Sequence, residues 1–141
     1  MSVDVERRIL ESSKVIAVVG CSREPGKPSH DIPEYLKSVG YRIIPVNPNA
    51  EEILGERSYK DLKSIGERVD VVDVFRPSSE ALRVTEEAFG IGAKAVWLQL
   101  GIVSDEAERF AKSHGMDFVM NRCMMVEYIT LGINRRAGSP P

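Results

Sequence analysis

The chain alternates between short, almost uninterrupted apolar runs and longer segments whose apolar residues recur at helical spacing. Residues 15–19, Val-Ile-Ala-Val-Val, are continuous and β-branched rather than alternating, the pattern of a strand covered on both faces. Residues 41–46, 69–75, 95–100 and 117–120 read as four further strands. Between them the spacing predicts helices. Val5, Ile9 and Leu10 place a short amphipathic helix over 4–12, and Tyr35, Leu36 and Val39 share one face of a helix over 31–39 that Gly40 stops. Pro77-Ser78-Ser79 opens a helix over 80–89, and Ser104-Asp105-Glu106 begins another that runs through Ser113 and ends at Gly115. A last helical or coiled stretch covers 124–131.

Pro45 has no backbone donor, so the second strand is expected to sit at limited depth there or to leave the sheet at once through Asn47-Pro48-Asn49. Residues 53–60 read as an irregular stretch around Gly55, followed by a brief helical turn that Asp61 caps. Strands that alternate with helices imply an α/β fold: a doubly wound, five-stranded parallel sheet with helices on both faces. The expected strand order is 3-2-1-4-5, which puts a ligand crevice beyond the carboxyl ends of the strands, at the switch between the first and the fourth.

The 141 residues fit one domain, 1–141, with a flexible tail over 135–141. Nineteen basic against 21 acidic residues leave a net charge of −2, which argues against a general nucleic-acid binder. Cys21, Cys123, His30 and His114 show no metal-ligand spacing. The N-terminus is charged and no apolar run approaches the roughly 20 residues that span a bilayer, so a cytoplasmic protein without membrane contact is expected.

Candidate chemistry lies at the strand ends. After the first strand, Gly20, Cys21 and Ser22 lead through Arg23, Lys27, Pro28 and Ser29 to a helix start, where backbone N–H groups and helix polarity favour phosphate. The other ends carry Asn47 and Pro48, then Phe75, Arg76 and Pro77, then Gln99 and Leu100. These ends offer hydrogen-bond donors, a cation and an aromatic face, but no acid–base pair and no nucleophile with its base, which implies binding without independent catalysis. A dinucleotide fingerprint needs a second glycine at position 22 and an acid at the end of the second strand; Ser22 and Asn47 stand there, although Glu51 and Glu52 lie close by. Gly26-Lys27 is followed by Pro28, which breaks a Walker-type loop. Cys21 has two readings: a thiol acidified at a helix start, able to join a thiol ligand in a mixed disulfide, or a small buried filler. Trp97 reads as core.

Four blocks, 17–22, 40–48, 69–76 and 95–101, together resemble the single-domain coenzyme A-binding proteins, related to the N-terminal domain of the succinyl-coenzyme A synthetase α subunit. The absent acid at Asn47 suits the ligand's ribose phosphate, which a carboxylate would repel. The resemblance implies a Rossmann-like domain with coenzyme A, free or acylated, across the strand ends. Ser22, Arg23 and residues 27–29 would hold phosphate groups; Asn47 and Pro48 would line the nucleotide end; Phe75, Arg76 and Pro77 would flank adenine or pantetheine; Gln99 and Leu100 would complete the crevice. The synthetase's phosphorylated histidine belongs to a further domain, so ligase activity does not carry over. A carrier, a sensor or an enzyme subunit is the expected role, with a homodimer through apolar residues of 124–133 or a partner enzyme as the assembly. An NAD(P)-binding redox protein and an interaction protein with an empty crevice are the alternatives.

Overall fold

The computed structural model describes residues 3–134, so the expected tail over 135–141 lies outside the described residues. In chain order the elements are α1 (Asp4–Ser12), β1 (Val15–Val19), α2 (Pro28–Ser38), β2 (Arg42–Val46), β3 (Glu52–Ile53), β4 (Glu56–Arg57), β5 (Val71–Val74), α3 (Ala81–Gly90), β6 (Ala95–Leu98), α4 (Asp105–Ser113), β7 (Asp117–Val119) and α5 (Met124–Thr130). Short 3-10 turns occupy Leu62–Ser64 and Ser78–Glu80.

β1 is buried because apolar layers close over both of its faces. Ile16 and Val18 pack with Ile9 and Leu10 of α1, Leu36 of α2 and Met124 of α5. Ala17 faces the other way, into a layer built from Val84 and Ala88 of α3 and Ala107 and Ala111 of α4. Each large aliphatic side chain removed from water in these layers contributes about 1.5–3 kcal/mol. The parallel sheet and the helices on both faces are therefore as expected.

The strand order is not. The sheet runs β2-β1-β5-β6-β7, so the expected 3-2-1-4-5 is corrected to 2-1-3-4-5 when the five sheet strands are counted along the chain. Pro45 supplies the reason. The expected order would place the second strand inside the sheet with ladder bonds on both sides, and a proline without N–H belongs on an edge. Pro45 pairs in register with Val18 of β1, and its carbonyl points outward to accept the Tyr59 N–H at 3.0 Å. β5, by contrast, is buried at all four positions and lies between β1 and β6. The switch point thus falls between β1 and β5.

Two local expectations also change. The stretch around Gly55 is a small antiparallel hairpin, β3–β4, whose turn residues Leu54 and Gly55 both have positive φ (58° and 75°). Such a two-residue turn follows the right-handed twist of its strands. α2 starts at Pro28 rather than at Asp31, because proline's fixed φ suits the first helical turn, where no N–H is needed.

Candidate functional site

Pro33 lies inside α2 and has no N–H for the carbonyl one turn back, that of Ser29. That carbonyl accepts instead from the N–H of Ser22, at 3.0 Å. His30, buried in the same turn, places Nδ1 2.9 Å from the Ser22 carbonyl, so Nδ1–H is the donor. Both backbone groups of Ser22 are therefore held by the start of α2, which fixes the loop that follows β1. Four loop N–H groups are already committed: Ser22 to Ser29, Glu24 to Ser22 Oγ, Gly26 to Asp31 Oδ1, and Lys27 to the Glu24 carbonyl.

Gly20 ends β1 with φ +87°. A Cβ there would stand 2.9 Å from the Phe75 carbonyl oxygen and 3.0 Å from Arg76 Cδ, so only glycine lets the β5 end cross this closely. The Arg76 side chain lies over the end of β1 in the space so left. Beyond the ends of β2, β1 and β5 opens a cavity of about 620 Å3, lined among others by Gly20, Cys21, Ser22, Lys27, Ser29, Asn47, Pro48, Phe75 and Arg76. It sits at the sheet's switch point, where open α/β sheets bind ligands.

Residues 14–129 match the family described as CoA binding domain. The chain belongs to that family. It is 39% identical over 122 residues to the uncharacterized protein YneT of Bacillus subtilis, a match that covers 86% of this chain and 90% of that one. It is 33% identical over 115 residues to acetate–CoA ligase (ADP-forming) II of Archaeoglobus fulgidus, covering 73% of this chain but 17% of the ligase. A solved structure of a hypothetical protein from Pyrococcus horikoshii superposes with a TM-score of 0.88 at 37% identity, covering 93% of this chain and 92% of the other. The coenzyme A-binding resemblance read from the sequence is thus borne out at the level of the family.

Within this CoA binding domain the sequence-derived residues separate into groups. Arg23 lines a neighbouring pocket with Pro48, Asn49, Glu51 and Glu52. Pro28 opens α2 and Pro77 precedes the turn at Ser78, and neither lines the main cavity. Asn47 lines it, yet its side chain is spent on the fold: Nδ2 donates to the Cys21 carbonyl at 2.9 Å, and Oδ1 accepts from the Asn49 N–H at 2.8 Å. Leu100 is 70% exposed and Gln99 is buried; both lie away from the cavity. They follow β6, which β5 separates from β1.

Gln99 turns instead toward Asp73, donating from Nε2 to Oδ1 at 2.6 Å in full burial. Asp73 Oδ2 and Gln99 Oε1 have no partner among the described residues. Burial pushes the Asp73 carboxyl up to about 7, against the opposing pull of Gln99 and the Val74 N–H. A proton on Asp73 supplies the donor that Gln99 Oε1 lacks, so the neutral acid suits this pair and the carboxylate does not. Cys21 is fully buried, and burial, then the nearby Asp73, push its thiol up to about 12. Of its two readings the structure supports the buried filler: Cys21 borders the cavity but is fully buried, and burial disfavours its thiolate.

Sequence reasoning missed the charged wall of the cavity, formed by Lys60, Asp61, Glu80, Arg83 and Glu87. Arg76 places Nε 3.2 Å and Nη2 2.8 Å from the two Glu80 carboxylate oxygens. Arg83 donates to the same carboxylate at 2.8 Å and to Glu87 at 3.0 Å. The one available signal was the spacing of Arg76, Glu80, Arg83 and Glu87, which turns them to one side of a helix start.

No helix among the described residues is long and apolar enough to cross a membrane. On α5, Val126 and Ile129 are 48% and 56% exposed.

Proposed function

We propose that this chain binds coenzyme A, free or acylated, across the carboxyl ends of β2, β1 and β5, and holds it without chemistry of its own, as a carrier, a sensor or a subunit of an acyl-coenzyme A enzyme. The observation that carries this reading is the cavity at the β1–β5 switch point, with Lys27, Lys60, Arg76 and Arg83 in its lining, in a chain of the CoA binding domain family. Its volume suits one cofactor-sized ligand, since such sites measure roughly 300–1,000 Å3. Lys27, Lys60, Arg76 and Arg83 offer charge to the ligand's phosphates, and Phe75 offers an apolar face beside them. Asn47 works from below: by bonding the Cys21 carbonyl it sets the loop where the phosphates would lie.

The holding role is supported by the state of the titratable groups. Cys21 is kept as a thiol, His30 Nδ1 is committed to Ser22, and the Glu24 and Glu80 carboxylates at the cavity are ion-paired with Lys27 and Arg76. None of these is poised as a nucleophile with its base. Calorimetric titration with coenzyme A, acetyl-coenzyme A and NAD tests the reading. Binding of either coenzyme A form with no NAD heat is expected; NAD binding without coenzyme A binding would replace it with a redox reading.

A further inference from the structure

Of the four cations that line the cavity, three are already neutralised by carboxylates of the same cavity: Lys27 by Glu24 at 2.9 Å, Arg76 by Glu80, and Arg83 by Glu80 and Glu87. Lys60 makes no ion pair among the described residues. The lining carries four cations and four carboxylates, so as it stands it presents no net positive charge to an anion. A phosphate that binds at Arg76 and Arg83 must exchange with a carboxylate.

Glu80 is the carboxylate placed for that exchange. It accepts from the Arg76 fork through both oxygens and from Arg83 at 2.8 Å through one of them, so two guanidinium groups converge on a single anion. This is the planar, charge-assisted geometry with which arginine also takes phosphate. Arg76 is held in place from behind, its Cδ laid against Gly20, so the fork need not move when its anion changes. The Arg76 hydrogen bonds, with Arg83 adding to them, hold the Glu80 carboxyl below its ordinary range, so it is an anion at neutral pH. Glu80 itself sits in a one-turn 3-10 segment and is only part-buried, so it can swing to solvent at small cost.

We propose that Glu80 is an internal anion seated where a phosphate group of the ligand binds, and that this phosphate takes its place between Arg76 and Arg83. The proposal rests on the coenzyme A reading and adds a built-in competitor to it. Glu80 lowers affinity by the worth of the contacts the ligand must displace, and it restricts tight binding to ligands whose phosphate is the stronger anion. The alternative role, in which Glu80 orients Arg76 for the ligand, predicts the opposite effect of its removal.

Calorimetric titration of wild type and Glu80→Gln with coenzyme A separates the two. Gln keeps a carbonyl oxygen for the arginines and loses the charge, so the exchange predicts roughly three- to tenfold tighter binding by Glu80→Gln. Binding by wild type with equal or weaker binding by Glu80→Gln overturns the exchange and leaves the coenzyme A reading standing. Absence of binding by both proteins overturns the reading and the exchange together. Titration with 3′-dephospho-coenzyme A then locates the phosphate: a gain that vanishes assigns the seat to the 3′-phosphate, and a gain that persists assigns it to the pyrophosphate. An unchanged melting temperature of unliganded Glu80→Gln shows that any change in affinity is not a folding defect.

Discussion

Gln99 donates to Asp73 at 2.6 Å across the ends of β6 and β5, and the remaining oxygen of each side chain is buried with no partner among the described residues. One proton on Asp73 pairs these two oxygens. Because burial raises this carboxyl from 3.8 to about 7, the folded chain holds the proton more tightly than the unfolded chain. Below the unfolded value both states are protonated and nothing is lost. Stability then falls as pH rises through the window between the two values, and above about 7 the loss is complete and constant. Its size is on the order of a few kcal/mol. Asp73→Asn, whose amide can pair with Gln99 through two N–H···O bonds, should lose this decline and be the more stable protein at pH 8. Urea titrations at pH 5 and pH 8 check it, and parallel pH dependence of the two proteins would contradict it.

Asp70, just before the same strand, carries the opposite sign. Its carboxylate accepts from the Lys14 and Val15 N–H groups, both at 2.9 Å, and from Arg68 at 3.0 Å. Burial pushes this carboxyl up, but those donors outweigh it and hold it below 3.8. Its stabilisation is therefore present above the unfolded value and lost as pH falls through the folded one. Asp70→Ala leaves two strand-end donors unpaired and should cost about 1–3 kcal/mol at neutral pH, read from the shift in urea midpoint; an unchanged midpoint would show that the bonds contribute nothing net.

The two cysteines should differ in reactivity. Cys21 is fully buried with its thiol pushed up to about 12, whereas Cys123, at the start of α5, is partly exposed. Thiolate is the reactive form. Iodoacetamide applied to the native protein, followed by peptide mass spectrometry, should label Cys123 first and Cys21 only after unfolding. Labelling of Cys21 at the faster rate would return the thiol to the list of reactive groups.

The layers of the fold were legible because β1 and its neighbours are short apolar runs that only a covered parallel sheet accommodates. Strand order was harder, yet Pro45 carries it: a residue without N–H in the second strand belongs at an edge, where β2 lies. Asp73 was likewise visible as one of two acids, with Asp70, within the apolar run 69–75. Its partner was not, because Gln99 is 26 positions away and only the β5–β6 register brings them together. The loop side of the site was readable from Gly20 and the helix start. The charged wall formed by Arg83 and Glu87 was not, since exposed charges at helical spacing look the same on any solvated helix.

Under the proposed function the cavity at the β1–β5 switch holds coenzyme A through Arg76. Isothermal titration of wild type, Arg76→Ala and Trp97→Phe with coenzyme A decides this. Trp97 is buried away from the cavity, its indole N–H donating to the Arg122 carbonyl at 2.9 Å. Binding by wild type, largely kept in Trp97→Phe and weakened about tenfold or more in Arg76→Ala, is the predicted result, since a charge-assisted contact to phosphate is worth about 1.5–3 kcal/mol. Undiminished binding by Arg76→Ala, or no binding by wild type, would contradict it.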